Sequence, residues 1–289
     1  MSRVAVVSDI HGNVPALEAV LADLAAQAPD EVLVGGDMVG RGPQGSAVVR
    51  RIAELGWPVI RGNHEEYVLG FRRGEIPEAW RHAGEWAASR WMAAELGDEE
   101  AELIGRLPFS TTSRLDPSLR LVHGTPTTTR EGIGPWLSDA RLGEHLAEIE
   151  ESLLVCAHTH RPLHRELPGG TVVNVGSVGL PFNGDRRAQY ALFERNGEDG
   201  PWRVELRQVD YDVEETLAIY ESTGFLAEGG VTARLLHLEL EHATPLLVPF
   251  LKWSEARGMA PAESELGAFF RFHRPGEPLG TFYSRLAKL

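Results

Sequence analysis

The 289-residue sequence contains one cysteine, Cys156. An internal disulfide is therefore excluded, and the apolar neighbours of the thiol suggest a small buried hydrophobe rather than a nucleophile. No apolar stretch reaches the length of a membrane span. The first residues already have the character of a strand instead of a charged segment followed by an apolar signal region. The expectation is a cytoplasmic protein with no membrane partner. Basic residues are the minority: 28 Lys and Arg against 42 Asp and Glu leave a net charge of -14. A polyanion would be repelled by most of such a surface, so broad nucleic-acid binding is not expected. An anionic substrate would need a local positive centre, which metal ions could supply. Internal repeats and low-complexity tracts are lacking too. What is there, 43% hydrophobic and 24% charged residues, suits a globular chain with one large core or two modest ones.

Within that ordinary composition one pattern recurs. Val32-Leu33-Val34-Gly35-Gly36-Asp37 carries a short β-branched run through two glycines to an acid. Such a run reads as a buried strand, with Asp37 at its carboxyl end, where α/β sheets place their chemistry. A lone aspartate there is most often a turn residue. Here the pattern repeats: Asp9-Ile10-His11 follows Arg3–Val7, Asn63-His64-Glu65 follows Val59-Ile60-Arg61, His123 follows Leu119–Val122, and His158-Thr159-His160 follows Leu153–Ala157. Five apolar runs each end on groups that bind hard or borderline metals.

The elements between them read as alternating strands and helices. Asn13 can cap a helix with Leu17, Val20, Leu21 and Leu24 on one face, closed by Pro29-Asp30. A second helix runs through Val48, Val49, Ile52 and Leu55 to Gly56. Residues 65–106 read as a mostly helical insert whose Trp80, Trp86, Trp91, Met92 and Leu96 cover one side of a sheet. One further helix is expected near Ser138 to Glu150. Strands are expected at Thr171–Val175, Gln189–Glu194 and Arg203–Val209, with Gly169-Gly170 and Asn196-Gly197 as hairpin turns. This order predicts a mostly parallel half followed by a mostly antiparallel one. After Asp210 helical periodicity continues almost to the end, through Leu217, Tyr220, the leucines of 235–240, 246–253 and Phe269, Phe270 and Phe272. The chain thus divides into a catalytic domain, 1–212, and a helical C-terminal extension, 213–289, whose apolar face could dock, close over the site or form a homo-oligomer.

Residues two apart share a face of an extended segment, so Asp9 with His11, and His158 with His160, can each grip an ion. Asn63 offers a carbonyl oxygen, with N-capping as its competing role. The donors are too many for one metal and enough for two that share a carboxylate.

Asp9-Ile10-His11-Gly12-Asn13, Gly36-Asp37-Met38-Val39, Gly62-Asn63-His64-Glu65, His123-Gly124 and His158-Thr159-His160 resemble the five ordered motifs of the calcineurin-like metallophosphoesterase superfamily. The resemblance spans roughly Val4 to Val209 and implies a four-layer α/β/β/α sandwich with a dinuclear site between the sheets. By motif position Asp9, His11, Asp37 and His160 would hold one metal. Asp37, Asn63, His123 and His158 would hold the other, with Asp37 bridging. His64 matches the histidine that donates a proton to the leaving group. Arg41 and Arg61 match arginines that face phosphate oxygens in protein serine/threonine phosphatases and symmetrical dinucleoside tetraphosphatases. Ala157 departs from the glycine common before the paired histidines, and Asn174-Val175-Gly176-Ser177 resembles a supporting loop. The implied chemistry is attack on phosphorus by a hydroxide bridging two ions about 3.5–4 Å apart. Manganese, iron, zinc, cobalt and nickel all suit such a donor set. The function expected is a phosphodiesterase on nucleotides or other small phosphoesters. The alternatives are a phosphomonoesterase or protein phosphatase, and a non-catalytic scaffold of the same fold.

Overall fold

Strands whose side chains alternate between two buried faces build this molecule from the middle outward. It is seen in a computed structural model that describes residues 2–195, 197 and 200–289. The chain runs β1 (Ser2–Val7), α1 (Val14–Gln27), β2 (Glu31–Val34), α2 (Gly45–Leu55), α3 (Asn63–Arg73), two short 3-10 helices (Glu78–Trp80 and Gly84–Trp86), α4 (Ala87–Glu95) and α5 (Asp98–Gly105). It continues through β3 (Ser110–Thr112), β4 (Leu119–Val122), α6 (Asp139–Leu146), β5 (Leu153–Cys156), β6 (Leu163–Leu167), β7 (Gly170–Asn174), β8 (Ala188–Arg195) and β9 (Trp202–Val209). The C-terminal helices are α7 (Val213–Ser222), α8 (Phe225–Glu228), α9 (Gly230–His242), α10 (Leu247–Ala256), a 3-10 helix (Glu263–Glu265), α11 (Leu266–Phe272) and α12 (Leu279–Leu286). None of the described helices is long and apolar enough to cross a membrane.

The strands form two sheets, β2-β1-β8-β9 and β3-β4-β5-β7-β6. Val4 and Val6 of β1 meet Leu119, Leu121, Leu153, Val155 and Val173 between the sheets. Ala5 and Val7, one residue out of phase, face Leu17, Val20 and Ile52 of α1 and α2. Val122, Leu154, Cys156 and Val172 pack outward against Leu142 and Leu146 of α6. The two-residue period of each strand therefore separates an inter-sheet core from two outer ones, giving the α/β/β/α layering. Cys156 is buried, and its thiol pKa is raised by burial.

Several expectations need correction. Val59-Ile60-Arg61 is not a strand: it makes a single parallel bridge, Val59 to Val34, and its chain leaves because the Arg61 N–H donates to Pro108 O instead. The division into parallel and antiparallel halves does not hold either. β4–β5 and β5–β7 are parallel while β1–β8 and β8–β9 are antiparallel, because α6 crosses from β4 to β5, β6 intervenes between β5 and β7, and β8 returns to the first sheet. Leu167 pairs with Gly170, so the turn is Pro168-Gly169 and Gly170 already lies in β7. The other expected turn includes Asn196, which is outside the described residues.

The C-terminal helices use their apolar faces in two ways. Val213, Tyr220, Phe225, Ala233, Leu236 and Leu240 join the cluster that holds α1 and α2. Val231, Leu235, Leu246, Phe250, Trp253, Phe269 and Phe282 form a cluster of their own. Helix α9 contributes to both and carries the extension onto the body.

Candidate metal centre

Each apolar strand is followed by a loop that turns back at once, and the loops lock together. The Asp9 N–H donates to Gly36 O at 3.1 Å and the His11 N–H to Asp37 O at 3.0 Å, joining the loops after β1 and β2. The Ala157 N–H donates to His123 O at 2.9 Å and does the same for those after β4 and β5. Asp9, His11, Asp37, Arg41, His158 and His160 all have positive φ, between 51° and 65°. That region disfavours side chains with a Cβ, and strain of this kind persists where surrounding contacts over-determine it. Gly62 is required for a different reason: a Cβ there would lie 2.1 Å from Asp37 Oδ1.

The folded loops bring the expected donors together. Asp9, His11 and His160 offer atoms mutually within 4.8 Å, as do Asp37, His123 and His158, and as do His11, Asp37 and His64. His160 Nε2 is 3.2 Å from Asp9 Oδ1 and 3.1 Å from His11 Nε2. Asn63 Oδ1 lies 3.0 Å from His123 Nε2 and 2.8 Å from His158 Nδ1. Gly62 is the N-cap of α3, so Asn63 is the first helical residue, and its side chain faces the histidines.

The two carboxylates are divided in the same way. Asp9 Oδ2 accepts the His158 N–H at 3.1 Å and Asp37 Oδ1 accepts the His64 N–H at 2.8 Å. Their other oxygens, Asp9 Oδ1 and Asp37 Oδ2, are buried with no hydrogen-bond partner among the described residues. A buried anionic oxygen without a partner carries a heavy desolvation cost unless a cation meets it. Asp37 Oδ2 stands between the groups, 3.7 Å from His11 Nε2 and 3.3 Å from His123 Nε2. The donor set therefore fits two cations that share Asp37.

Second contacts orient the rings. His11 Nδ1 faces the carbonyls of Val39 and Gly40, His123 Nδ1 that of Gly35 and His160 Nδ1 that of Leu180, which leaves Nε2 to point inward on all three. Burial lowers the pKa of His11 well below its ordinary value, and that of His158 to about 4. Neutral imidazole is the metal-binding form. For His123 burial also opposes charge, but Asp37 outweighs it and raises the pKa to about 10. A metal there would replace that proton.

The arginines arrive already engaged. Arg41 Nε donates to His64 Nε2 at 3.2 Å, and Arg41 Nη1 pairs with Glu239 Oε2 at 2.9 Å. Arg61 Nε lies 3.4 Å from Glu66 Oε1. His64 has its pKa lowered to about 3, first by burial, with Arg41 adding to the effect.

Two acids went unassigned in the sequence. Glu65 is buried and accepts from the N–H groups of Asp37, Met38, Val39 and Gly62 at 2.8–3.3 Å, so it clamps the Asp37 loop to the start of α3. An acid three residues after a helix cap was a readable signal for it. Glu239 is fully buried on α9 and accepts from the N–H groups of Leu246 and Leu247 through Oε1. It falls on the stripe of Leu235, Leu236 and Leu240, and a carboxylate in an apolar stripe was its only signal. Removing one member of a buried ion pair typically costs about 3–5 kcal/mol. Glu239→Ala is accordingly expected to lower stability by about that amount, whereas Glu239→Gln, which keeps the Oε1 acceptor, should lose less. Denaturant unfolding measures both, and an unchanged midpoint for Glu239→Ala would contradict the pairing.

Residues 2–166 match the calcineurin-like phosphoesterase family. The chain is 24% identical over 234 residues to an uncharacterized protein of Methanocaldococcus jannaschii, covering 74% of this chain and 90% of that one. It is 31% identical over 153 residues to a symmetrical bis(5'-nucleosyl)-tetraphosphatase of Paracidovorax citrulli, which is 51% of this chain and 50% of that protein. A solved metallophosphoesterase from Sphaerobacter thermophilus superposes with a TM-score of 0.69 at 26% identity, covering 84% of this chain and 99% of the other.

Proposed function

The chain belongs to the calcineurin-like phosphoesterase family, and from that premise we propose that it is a two-metal phosphodiesterase acting on nucleotides or other small phosphoesters. The observation that carries this reading is the position of Asp37 Oδ2, buried, unpartnered and set between two groups of histidines. Asp9, His11, Asp37 and His160 hold the first ion in this reading; Asp37, Asn63, His123 and His158 hold the second. Bound there, the pair of ions supplies Lewis acidity for phosphate oxygens and for activation of water near neutral pH. Residues 1–212 are the catalytic domain and residues 213–289 the helical extension that secures Arg41 through Glu239.

The protein's own side chains do the rest. Arg41 and Arg61 are phosphate clamps. An incoming phosphate competes with Glu239 and Glu66 for their guanidinium groups, and also draws the Arg41 N–H away from His64 Nε2. With the Arg41 cation turned to the phosphate, that nitrogen takes up a proton from solvent and hands it to the leaving oxygen. The name of the Paracidovorax citrulli relative supports a nucleotide substrate.

A phosphomonoesterase is the second reading, favoured by the contact of Arg41 with His64, which places a cation where a monoester dianion would sit. With manganese restored to stripped protein, bis(p-nitrophenyl) phosphate should be hydrolysed with the higher kcat/KM and p-nitrophenyl phosphate with the lower. The reverse order would make the monoesterase reading the correct one.

A further inference from the structure

Beside the metal-ligand groups the C-terminal helices form a cavity of about 780 Å³ with the loops after β4, β5 and β7. Ligand sites for small molecules commonly measure about 300–1,000 Å³. The wall nearest the donors is Phe182, whose ring stacks on His160 with centroids 4.5 Å apart and whose N–H donates to His160 O at 2.9 Å. Arg161 follows His160 in sequence and lines the same cavity.

Two features set this cavity apart from ordinary surface. Trp136 and Tyr283, 56% and 40% exposed, are the aromatic residues among the large exposed hydrophobics, and both line it. They come from distant parts of the chain, a loop before α6 and helix α12. Exposed aromatic faces converging on one cavity are sites where a flat ring can stack, and each base–aromatic stack is typically worth about 1–3 kcal/mol. The second feature is Arg161. Its Nε donates to Phe182 O at 2.9 Å and its guanidinium lies 5.5 Å from the Trp136 ring centroid, yet no carboxylate pairs with it among the described residues. Arg61 and Arg130, by contrast, both sit near Glu66. Glu277 also lines the cavity, but its carboxylate is engaged by Arg285 at 2.6 and 2.8 Å and by His273 at 3.1 Å. Among the described residues Arg161 is thus the cation that lines this cavity with no carboxylate partner, and it is adjacent in sequence to His160.

We propose that this cavity is the nucleoside subsite of the active centre, taking a nucleobase against the exposed aromatic surface of Trp136 and Tyr283 and a phosphate oxygen on Arg161. The assignment rests on the phosphoesterase reading for its phosphate, while the stacking surface stands on its own residues. Because the ring partners come from both the catalytic part and α12, the C-terminal helices contribute to specificity for the leaving group.

Binding separates the two readings. Calorimetry on the 289-residue chain, with and without manganese, would compare AMP, ribose 5-phosphate and adenosine. AMP should bind at least about tenfold more tightly than ribose 5-phosphate, the size of effect one stacked base provides. Trp136→Ala should erase that preference and Trp136→Phe should keep most of it. Arg161→Gln should weaken AMP and ribose 5-phosphate together and leave adenosine unchanged. Equal affinity for AMP and ribose 5-phosphate would overturn the proposal, as would AMP binding that is indifferent to Trp136→Ala. If AMP is preferred as described but no phosphoester is turned over, the subsite stands and the hydrolase reading fails. If esters are turned over without that preference, the subsite fails and the hydrolase reading stands.

Discussion

Asp37→Ala is expected to lower kcat for any phosphoester on the order of a thousandfold or more. Lewis-acid stabilisation by metal ions supplies several kcal/mol, and each factor of ten corresponds to about 1.4 kcal/mol. The reason for so large an effect is that one carboxylate serves both groups of donors. Its Oδ2 lies 3.7 Å from His11 Nε2 and 3.3 Å from His123 Nε2, with no hydrogen-bond partner among the described residues. Its Oδ1 accepts the His64 N–H, so the substitution also loosens the start of α3. In the proposed arrangement His11 and Asn63 each serve one ion only, so His11→Ala and Asn63→Ala should each retain more activity than Asp37→Ala. Steady-state kinetics with circular dichroism as a folding control tests the order. A well-folded Asp37→Ala protein that keeps a tenth of wild-type kcat would defeat the bridging role.

The second large effect is expected at His64, and it separates a catalyst from a ligand. Asn63 presents Oδ1 to His123 and His158, whereas His64 Nε2 is turned toward Arg41. His64→Ala should therefore leave both metals bound. A positioned general acid contributes typically about a hundredfold to ten-thousandfold. That contribution should appear in full for a ribose alkoxide, a poor leaving group, and be nearly absent for a nitrophenolate, which departs without a proton. Rates of His64→Ala on an activated and an unactivated ester should diverge accordingly. A uniform loss on both, or the loss of a metal, would make His64 a positioning group or a ligand, a role consistent with its place in the group of His11 and Asp37.

Most of the donors were legible because the chemistry is local in the chain. Each sits within a few residues of the end of an apolar run, and period-two burial of β1, β4 and β5 carries those ends to one edge of the sandwich. What was not legible depends on partners far away in sequence. Arg41 reads as a free phosphate clamp until Glu239, 198 residues on, is found against it. Strand direction was misjudged for a related reason. A hydrophobic run shows that a strand is buried without naming its neighbour, so the return of β8 to β1 and the parallel pairing of β5 with β7 could not be read from periodicity. β3 and β6 were missed because one is three residues long and the other alternates with exposed polar residues at His164 and Glu166. The subsite aromatics had no local signal at all: Trp136 and Tyr283 become neighbours of one cavity only through the docking of α12.

The central claim is that two ions share Asp37, and metal content per chain tests it most directly. Metal-stripped protein and its Asp37→Ala, His11→Ala and Asn63→Ala variants would be replenished with manganese, freed of excess and analysed for bound metal. The account predicts about two ions per chain for the wild type, about one for His11→Ala and Asn63→Ala, and about none for Asp37→Ala, because each ion needs its deprotonated ligands to bind. Near-full occupancy in Asp37→Ala, or a wild type that saturates at a single ion, would contradict it.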